Sequence, residues 1–243
     1  MNNLSKSIIS SRFVVRSQPA TRMALAFLLI AGLLTFTITN NRVGASAAGR
    51  VALFQQDTLL TPTEFQIPTP NSRPFQGTGG PNGDFWFCET IGNKIARVTT
   101  SGTFTEFSLP SNSTPYAITR GPDGDLWFTE QGTNKIGRIT TSGTITEFPI
   151  PSAGSRPFGI ASGPDGNIWF TEANMAKIGR ITTSGTFTEF QLALPGAGPF
   201  AITPAPDGNM WFTEQGANMI GKITPTGTIT DYQIPTVNSV PLE

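Results

Sequence analysis

Histidine is absent from the 243 residues of this chain, and cysteine occurs once, as Cys88. Without histidine, the chain lacks the commonest metal ligand and the side chain best suited to proton transfer near neutral pH. Zinc-protease motifs, Ser-His-Asp triads and Cys-His pairs are therefore excluded within this sequence. A single cysteine cannot form an intramolecular disulfide, so the fold has no covalent cross-link of its own.

The chain also lacks any block of like charge. Its 16 basic and 16 acidic residues balance to a formal net charge of zero. Five of the basic residues fall in the first 47 positions, where there is no acidic residue, and the rest of the chain is therefore mildly acidic. Binding to a nucleic-acid backbone needs a concentrated positive face, so we predict no nucleic-acid partner.

The amino terminus predicts an export segment. Residues 1–22 carry four positive charges, and residues 23–38 form an apolar run interrupted by two threonines. This run is shorter than the roughly 20 residues of a transmembrane helix and is typical of a secretory signal. An Ala-Ser-Ala sequence then offers a signal-peptidase site. We predict a signal peptide over 1–47, or alternatively a membrane anchor at 23–39, followed by a linker over 48–61. The body is expected to be secreted or extracytoplasmic and to touch the membrane only through this segment.

The rest of the chain contains one sequence unit repeated four times. Each unit has a Pro-Asp-Gly or Pro-Asn-Gly turn, a Trp-Phe pair, a glutamate three residues after the tryptophan and a basic residue eleven after it. A Ser-Gly or Thr-Gly turn follows, and both kinds of turn supply the positive φ that tight hairpins need. Repetition at this period is typical of propellers and related architectures. The pairs are spaced 41, 42 and 42 residues apart, at Trp86-Phe87, Trp127-Phe128, Trp169-Phe170 and Trp211-Phe212.

Each unit predicts four short antiparallel strands, named a to d. Strand b is apolar on both faces, so its sheet must be covered on both faces, as in the radially stacked blades of a β-propeller. We therefore predict an all-β propeller of four-stranded antiparallel blades, with about four to five repeats over residues 62–243. In the second unit the strands are placed at 116–119, 126–130, 135–140 and 144–150. The predicted boundaries are a lone strand d at 62–68, blades at about 69–110, 111–151, 152–195 and 196–235, and the start of a further blade at 236–243.

The amino-acid sequence of these repeats resembles that of a known protein family. Residues 156–172 read Arg-Pro-Phe-Gly-Ile-Ala-Ser-Gly-Pro-Asp-Gly-Asn-Ile-Trp-Phe-Thr-Glu, which is similar to the repeats of the streptogramin lyases, also called virginiamycin B lyases. The resemblance covers residues 62–243. It implies a seven-bladed propeller, so we expect this chain to be truncated. It also implies a Mg²⁺-dependent carbon–oxygen lyase that opens cyclic depsipeptide antibiotics by elimination, with a histidine as general base beside a supporting glutamate.

Other residues occupy the position at which the family has its histidine. That position follows the proline that opens strand a and here holds Phe75, Tyr116, Phe158, Phe200 and Leu242. The supporting glutamate, 14 residues further on, is present in each complete repeat, as Glu89, Glu130, Glu172 and Glu214. The resemblance therefore implies no catalytic residue in this chain. It implies no cofactor either, unless the lyase chemistry is present, in which case Mg²⁺ is expected.

Two sets of residues are candidates for binding at the channel mouth. The four glutamates either form an acidic ring that binds a cation or a basic ligand, or are paired with Lys94, Lys135 or Lys177 or with the basic residue eleven after tryptophan. The aromatic set, Phe75, Tyr116, Phe158 and Phe200, either lines a surface for an apolar or cyclic ligand or packs between blades. Met219 replaces the lysine in the fourth repeat, so we expect Glu214 to lack a partner.

The other residues that stand out in the sequence are expected to have structural roles. We expect the four tryptophans in the core. Cys88 stands where the other repeats have threonine, so we interpret it as a buried small side chain and not as a nucleophile. Asp123 and Asp125 lack the remaining ligands of a calcium loop and are expected in a turn. We predict no metal site.

Three functions stay open. We predict an exported, non-catalytic propeller that binds a small molecule, a glycan or a protein at its channel mouth. The alternative is a lyase of the streptogramin type whose catalytic blades are missing from this chain. A third hypothesis is a structural surface module. The number of repeats also leaves room for self-association that completes the propeller.

Overall fold

The computed structural model describes residues 12–15 and 63–242. The chain divides into two compact units, one of Met1–Phe13 with Glu64–Glu243 and one of Val14–Thr63. The predicted linker lies outside the described residues, and so does the predicted signal segment apart from a short strand, Arg12–Val15, which the sequence analysis did not predict. No helix within the described ranges is long and apolar enough to cross a membrane.

Strands dominate the described part of the chain. Four antiparallel sheets of four strands each follow one another, and within each sheet the strands lie side by side in chain order. We name these sheets, in chain order, blade I (residues 74–108), blade II (115–149), blade III (157–191) and blade IV (199–233), and we name the four strands of each blade a to d. The elements are β1 (Arg12–Val15), β2 (Thr63–Gln66), β3 (Pro74–Gly79), β4 (Phe85–Glu89), β5 (Lys94–Val98), β6 (Phe104–Ser108), β7 (Pro115–Arg120), β8 (Leu126–Glu130), β9 (Lys135–Ile139), β10 (Ile145–Pro149), β11 (Pro157–Ser162), β12 (Ile168–Glu172), the 3₁₀-helix η1 (Ala173–Met175), β13 (Lys177–Ile181), β14 (Phe187–Gln191), β15 (Pro199–Pro204), β16 (Met210–Glu214), β17 (Met219–Ile223) and β18 (Ile229–Gln233).

The predicted all-β propeller with four-stranded blades is confirmed. In blade II, strand b occupies the predicted residues, Leu126–Glu130, and the other strands begin or end within one residue of the prediction. Strand d begins one residue later than expected because Thr144 belongs to the turn, where its carbonyl accepts from the Thr140 amide at 2.9 Å. Gly143 in the same turn has a φ of 96°, which is the conformation that favours glycine there.

A repeated stack of side chains joins each blade to the next. In blade II, the Trp127 ring lies 5.5 Å from the Phe148 ring of strand d, and the Arg138 guanidinium lies 5.7 Å from the Trp127 ring centroid. Arg138 also donates to the carbonyl of Thr183, in the c–d turn of blade III, at 3.3 Å. Phe148 packs on Gly185 of that turn, where an added Cβ would lie 2.6 Å from the ring. Blades I and III repeat the arrangement with Trp86, Phe107, Arg97, Thr141 and Gly143, and with Trp169, Phe190, Arg180, Pro225 and Gly227.

Three of the four tryptophans are in the core, as predicted. Trp86, Trp127 and Trp169 are at most 1% exposed. Trp211 differs and is half-buried, since no further blade follows blade IV among the described residues. It stacks on Tyr232 at 5.5 Å, and Tyr232 is itself 42% exposed. The prediction of a core position was therefore wrong for Trp211.

A threonine on strand b ties the inner strands together. Strand a of each blade contacts strand a of the next, so these strands are innermost. The Thr171 hydroxyl accepts from the Gly159 amide at 3.0 Å and donates to the carbonyl of Phe200, in the next blade, at 2.8 Å. Thr129 makes the equivalent pair of bonds between blades II and III. Cys88 occupies this position in blade I and is fully buried.

We expect Thr171→Val to lower the free energy of unfolding by about 1–3 kcal/mol, because two backbone groups near the axis lose their hydroxyl partner while the side-chain volume is kept. Chemical denaturation followed by tryptophan fluorescence measures this change.

The matched control is Cys88→Thr, which introduces the hydroxyl into the blade that lacks it and is expected to raise stability by about 1 kcal/mol. Unchanged stability in Thr171→Val would mean that the threonine contacts contribute nothing to the junction between blades.

Candidate functional site

Both candidate sets lie at the same end of the blades. The glutamate that ends strand b is paired in register with the proline that opens strand a, as Glu172 is with Pro157. The candidate aromatic residue follows that proline directly. Each blade therefore places one glutamate and one aromatic ring next to each other at the amino end of its innermost strand. The corresponding pairs in the other blades are Pro74 with Glu89, Pro115 with Glu130, and Pro199 with Glu214.

The four candidate aromatic residues form one connected group, which we call the aromatic cluster: Phe75, Tyr116, Phe158 and Phe200. Ring centroids lie 4.2 Å apart for Phe75 and Tyr116, 4.9 Å for Tyr116 and Phe158, and 4.7 Å for Phe158 and Phe200. Phe158 is 8% exposed, and the other three rings are half-buried. The rings therefore pack across blades, which was one of the two alternatives. That the cluster also forms a surface for a ligand stays a prediction.

An irregularity in strand a turns these rings toward their neighbours. In blades II to IV the register between strands a and b shifts across the aromatic residue, for example between Pro157 and Ile160, and in blade I it shifts just after Phe75. Such a bulge re-aims a side chain relative to the regular alternation of a strand. In blade III the next residue is Gly159, where a Cβ would lie 2.5 Å from the Phe200 carbonyl. Glycine therefore lets the neighbouring inner strand approach closely.

The four glutamates do not form a solvent-facing acidic ring. Glu89, Glu130 and Glu172 are 0% exposed, and Glu214 is 1% exposed. Among the described residues, Glu130 accepts from the Thr133 hydroxyl at 2.6 Å, whereas no hydrogen bond to the Glu89 or Glu172 carboxylate is formed. The hydroxyls of Ser72 and Ser155 are nevertheless near enough to lower the pKa of Glu89 and of Glu172. These carboxyl groups are buried within the blades, so solvent does not reach them directly.

The predicted ion pairs of these glutamates were also wrong. The lysines pair with acids on strand d, as Lys135 does with Glu147 at 2.6 Å and Lys177 with Glu189 at 2.9 Å. The arginines pair with aspartates of the a–b turn, as Arg180 does with Asp165 at 3.5 Å. The lysine side chains are about a quarter exposed at the blade edge, where a charge stays hydrated. Burying an ammonium group beside the strand-b glutamate would carry a larger desolvation cost.

Burial changes the protonation of these glutamates. It is the main reason that the pKa of Glu89 and that of Glu172 are raised to about 7, and the negative charges of Glu106 and Glu189 raise them further. Burial and the neighbouring Asp231 likewise raise the pKa of Glu214 to about 7. The pKa of Glu130 is raised by burial, against the hydrogen bond from Thr133. The blades thus contain carboxyl groups that keep a proton at a pH where an exposed glutamate is ionised.

The described residues do not fit the Mg²⁺ ion that the resemblance implies. No three or more acidic, cysteine or histidine side chains within the described ranges are grouped closely enough to hold a metal. The four glutamates belong to separate blades and are buried, so they cannot converge on one ion. Asp123, the other acidic candidate, accepts from the Trp127 indole at 3.1 Å and from the Asp125 amide at 3.2 Å, as expected of a turn residue.

Two further features bear on the site. Burial raises the pKa of the Cys88 thiol well above its ordinary value, and a buried thiol of this kind is a poor nucleophile. Arg156, which the sequence analysis did not single out, has its guanidinium 4.9 Å from the Phe158 ring centroid. It is exposed and has a φ of 53°. Its position directly before the proline of strand a was the signal that could have identified it.

Comparison with known proteins identifies the family. Residues 36–243 match the model of the virginiamycin B lyase family. The chain belongs to this family. No curated protein in the comparison matches the chain. Virginiamycin B lyases among solved structures are nevertheless similar along most of the described propeller.

Three solved structures illustrate this similarity. Virginiamycin B lyase from Staphylococcus aureus is 49% identical, with a TM-score of 0.73 over 75% of this chain and 62% of that one. A streptogramin B lyase is 46% identical, with a TM-score of 0.73 over 75% of this chain and 61% of that one. The third structure is a catalytically inactive histidine-to-alanine variant of the S. aureus enzyme with quinupristin, 49% identical at a TM-score of 0.73 over 75% and 62%. The present chain therefore spans about three fifths of the length of these relatives.

We expect the free energy of unfolding to fall as the pH rises from about 4.5 to 7, by up to roughly 1.4 kcal/mol per pH unit for each titrating group. The folded chain keeps protons on Glu89, Glu172 and Glu214 in this range, whereas the unfolded chain releases them, so higher pH favours unfolding. Carboxyl groups with a lowered pKa, such as Glu189, change the free energy of unfolding only at pH values below this range. Denaturant titrations at several pH values measure the slope.

Glu172→Gln tests the assignment, because the amide keeps the shape of a protonated glutamate. We expect this variant to lose part of the pH dependence and to be more stable than the parent at pH 8 by about 1–3 kcal/mol. A slope equal to that of the parent would rule out Glu172 as one of the titrating groups.

Proposed function

We propose that this chain binds a small cyclic, largely apolar molecule of the streptogramin type at the aromatic cluster and leaves it intact. The observation that carries this proposal is the contact of four rings from four successive blades at the start of the innermost strands. Ligand sites in proteins are lined mainly by apolar and aromatic side chains, with a few polar groups that orient the ligand.

The exposed parts of the aromatic cluster, and the arginine beside it, also suit a cyclic, largely apolar ligand. Three of its rings are partly open to solvent, so a ligand can cover them without displacing the packing between blades. The exposed Arg156 lies over Phe158 and makes no ion pair with any described residue. Its guanidinium supplies hydrogen-bond donors beside the rings, which suits the carbonyl groups of a cyclic depsipeptide.

The residues of this chain support binding without ring opening. It contains no histidine, and aromatic rings occupy the position that the family resemblance assigns to the general base. The strand-b glutamates are buried, and the raised pKa of Glu89, Glu172 and Glu214 disfavours their ionised form, which is the form that accepts a proton from a ligand. The S. aureus relative whose histidine is replaced is described as catalytically inactive, and its structure was solved with quinupristin.

We expect quinupristin to bind the purified chain, and we expect Tyr116→Leu and Phe158→Leu each to weaken binding by roughly two- to tenfold, the worth of about 0.5–1.5 kcal/mol for an aromatic contact. Isothermal titration calorimetry measures the Kd. The matched control is Tyr232→Leu, which removes an aromatic ring from the outermost strand of blade IV. Equal losses in all three variants, or no binding by the parent, would contradict the proposal.

The second candidate function is the lyase reaction itself, favoured by the 49% identity to virginiamycin B lyase. It would require a general base from residues outside this chain. Elimination adds no water, so the ring-opened product has the same mass as quinupristin, and chromatographic retention must be followed instead. Ring opening by the chain of 243 residues would overturn the non-catalytic proposal. An in-frame continuation of the gene that encodes a Gly-Pro-His-Gly segment would favour the enzyme for the longer protein.

Export is part of the proposal and is supported by the amino-terminal sequence. Expression with residues 1–47 should place the chain outside the cytoplasm, with Ala48 as its first residue if the signal is cleaved. Cell fractionation followed by amino-terminal sequencing distinguishes this result from a membrane-bound chain that begins at Met1. A full-length chain in the cytoplasmic fraction would contradict both forms of the prediction.

The remaining expectations about partners stay predictions. A glycan or protein ligand would use the same end of the propeller, and self-association would bring a second chain onto blade IV. Quinupristin binding by a monomer, with native mass spectrometry as the measure of oligomeric state, would favour the small-molecule function over a structural module.

A further inference from the structure

The a–b turn of three blades contains an aspartate that contacts the tryptophan of the same blade. In blade III, the carboxylate of Asp165 accepts from the Trp169 indole at 2.9 Å and from the amide of Asn167 at 3.2 Å. Asp123 and Asp207 make the same two contacts in blades II and IV. A hydrogen bond to an ionised carboxylate is stronger than one between neutral groups, so the aspartate fixes the turn against strand b.

Blade I has an asparagine at this place in its turn. Asn82 corresponds to the three aspartates, and no hydrogen bond joins its side chain to the Trp86 indole. The accompanying arginine is retained, since Arg97 Cζ lies 5.6 Å from the Trp86 ring centroid and Arg97 Nε lies 3.6 Å from Asp84 Oδ2. The equivalent Arg180 pairs with the turn aspartate itself, at 3.5 Å. Blade I therefore has the partners of this aspartate but has an amide in its place.

Glycine follows Asn82, and this is the only Asn-Gly dipeptide in the sequence. The glycine amide nitrogen is a nucleophile within reach of the asparagine carboxamide, and no side chain shields it. Asn82 and Gly83 are both exposed, and nothing lies within 4 Å of the place that a Cβ on Gly83 would take. The Gly83 amide donates to the Gly80 carbonyl at 3.2 Å, so the attack requires this hydrogen bond to open.

The asparagines of the turns in blades III and IV are placed differently. Asn167 and Asn209 are followed by Ile168 and Met210, which are 0% and 1% exposed. A buried side chain beside the attacking nitrogen hinders its approach to the carboxamide. The side chain of Asn167 also donates to Asp165 at 2.8 Å. These two asparagines therefore provide internal references for Asn82.

We propose that Asn82 is a site of deamidation and that the aspartate formed there takes the role of the turn aspartate of the other blades. The Gly83 nitrogen loses its proton and forms a bond to Cγ of Asn82, and the Cγ–Nδ2 bond breaks with release of ammonia. Water then opens the cyclic imide. Cleavage of the new bond gives aspartate, and cleavage of the original peptide bond gives isoaspartate, whose backbone contains an additional methylene group.

The two products differ in how they fit the turn. An aspartate at position 82 has the Trp86 indole and the Asp84 amide as donors, as its counterparts do, and the guanidinium of Arg97 balances the added charge. Isoaspartate lengthens the backbone of a tight hairpin, which strains the 2.7 Å hydrogen bond from the Gly80 amide to the Asp84 carbonyl. Deamidation therefore yields one form that is more stable than the parent and one that is less stable.

Peptide mass spectrometry of the full chain, after incubation in warm and mildly alkaline buffer, measures deamidation at each asparagine. We expect the reaction at Asn82 to be faster than at Asn167 and Asn209 by roughly tenfold or more, because only Gly83 leaves the attacking nitrogen unshielded. The matched control is Gly83→Asn, since asparagine tolerates the positive φ of this position and adds a side chain beside the nitrogen. Equal rates at the three asparagines, or an unchanged rate at Asn82 in Gly83→Asn, would rule out the site.

Asn82→Asp supplies the first product without isoaspartate. We expect its Trp86 indole N–H signal in NMR spectra to move toward those of Trp127 and Trp169. We also expect its unfolding constant at neutral pH to be roughly two- to tenfold lower than that of the parent, because a hydrogen bond is gained. Asn82→Ala, which has no acceptor, should show neither change. An indole signal that does not move in Asn82→Asp, or an unfolding constant that does not fall, would contradict the role proposed for the aspartate.

Discussion

The contact between an aromatic ring on one blade and a glycine in the next is the constraint on which the rest of this structure depends. The ring of strand d stacks on the tryptophan of its own blade and covers the c–d turn of the following blade, where a Cβ would collide with it. An arginine over the same tryptophan donates to that turn. Packing, a cation–π contact and a hydrogen bond therefore fix one relative placement of neighbouring blades.

This contact between neighbouring blades also determines how their innermost strands are placed. Once neighbouring blades are fixed, their innermost strands lie side by side, and the strand-b threonine bridges them through one hydroxyl. The bulge at the start of strand a then directs four aromatic rings into one cluster. This member of the virginiamycin B lyase family thus has aromatic rings at the repeat positions to which the resemblance assigns the histidine.

The buried glutamates illustrate how a repeated residue can mislead. Their regular spacing beside a lysine on the adjacent strand predicted an ion pair, and the register does place Glu130 opposite Lys135. The lysine nevertheless reaches Glu147, at the solvent-facing edge of the blade. The difference in hydration between the two acids decides the pairing, since a buried pair must recover the desolvation of both charges. Met219 indicated that Glu214 would have no lysine partner, but the strand-b glutamates that face a lysine form no ion pair with it either.

The sequence by itself determined the repeat, the turns and the strands, because these depend on neighbours within a few residues. Asp-Gly and Ser-Gly dipeptides set the hairpins, and the two apolar faces of strand b require a blade on either side. The cluster of Phe75, Tyr116, Phe158 and Phe200, the burial of the glutamates and the half-exposure of Trp211 were decided only by the tertiary structure. Each depends on which surface lies about 40 residues away in the chain, and on whether a further blade is there to cover it. The conformational preferences of neighbouring residues predict neither the distant surface nor the covering blade. Desolvation and ring contacts arise between blades, which are far apart in the sequence.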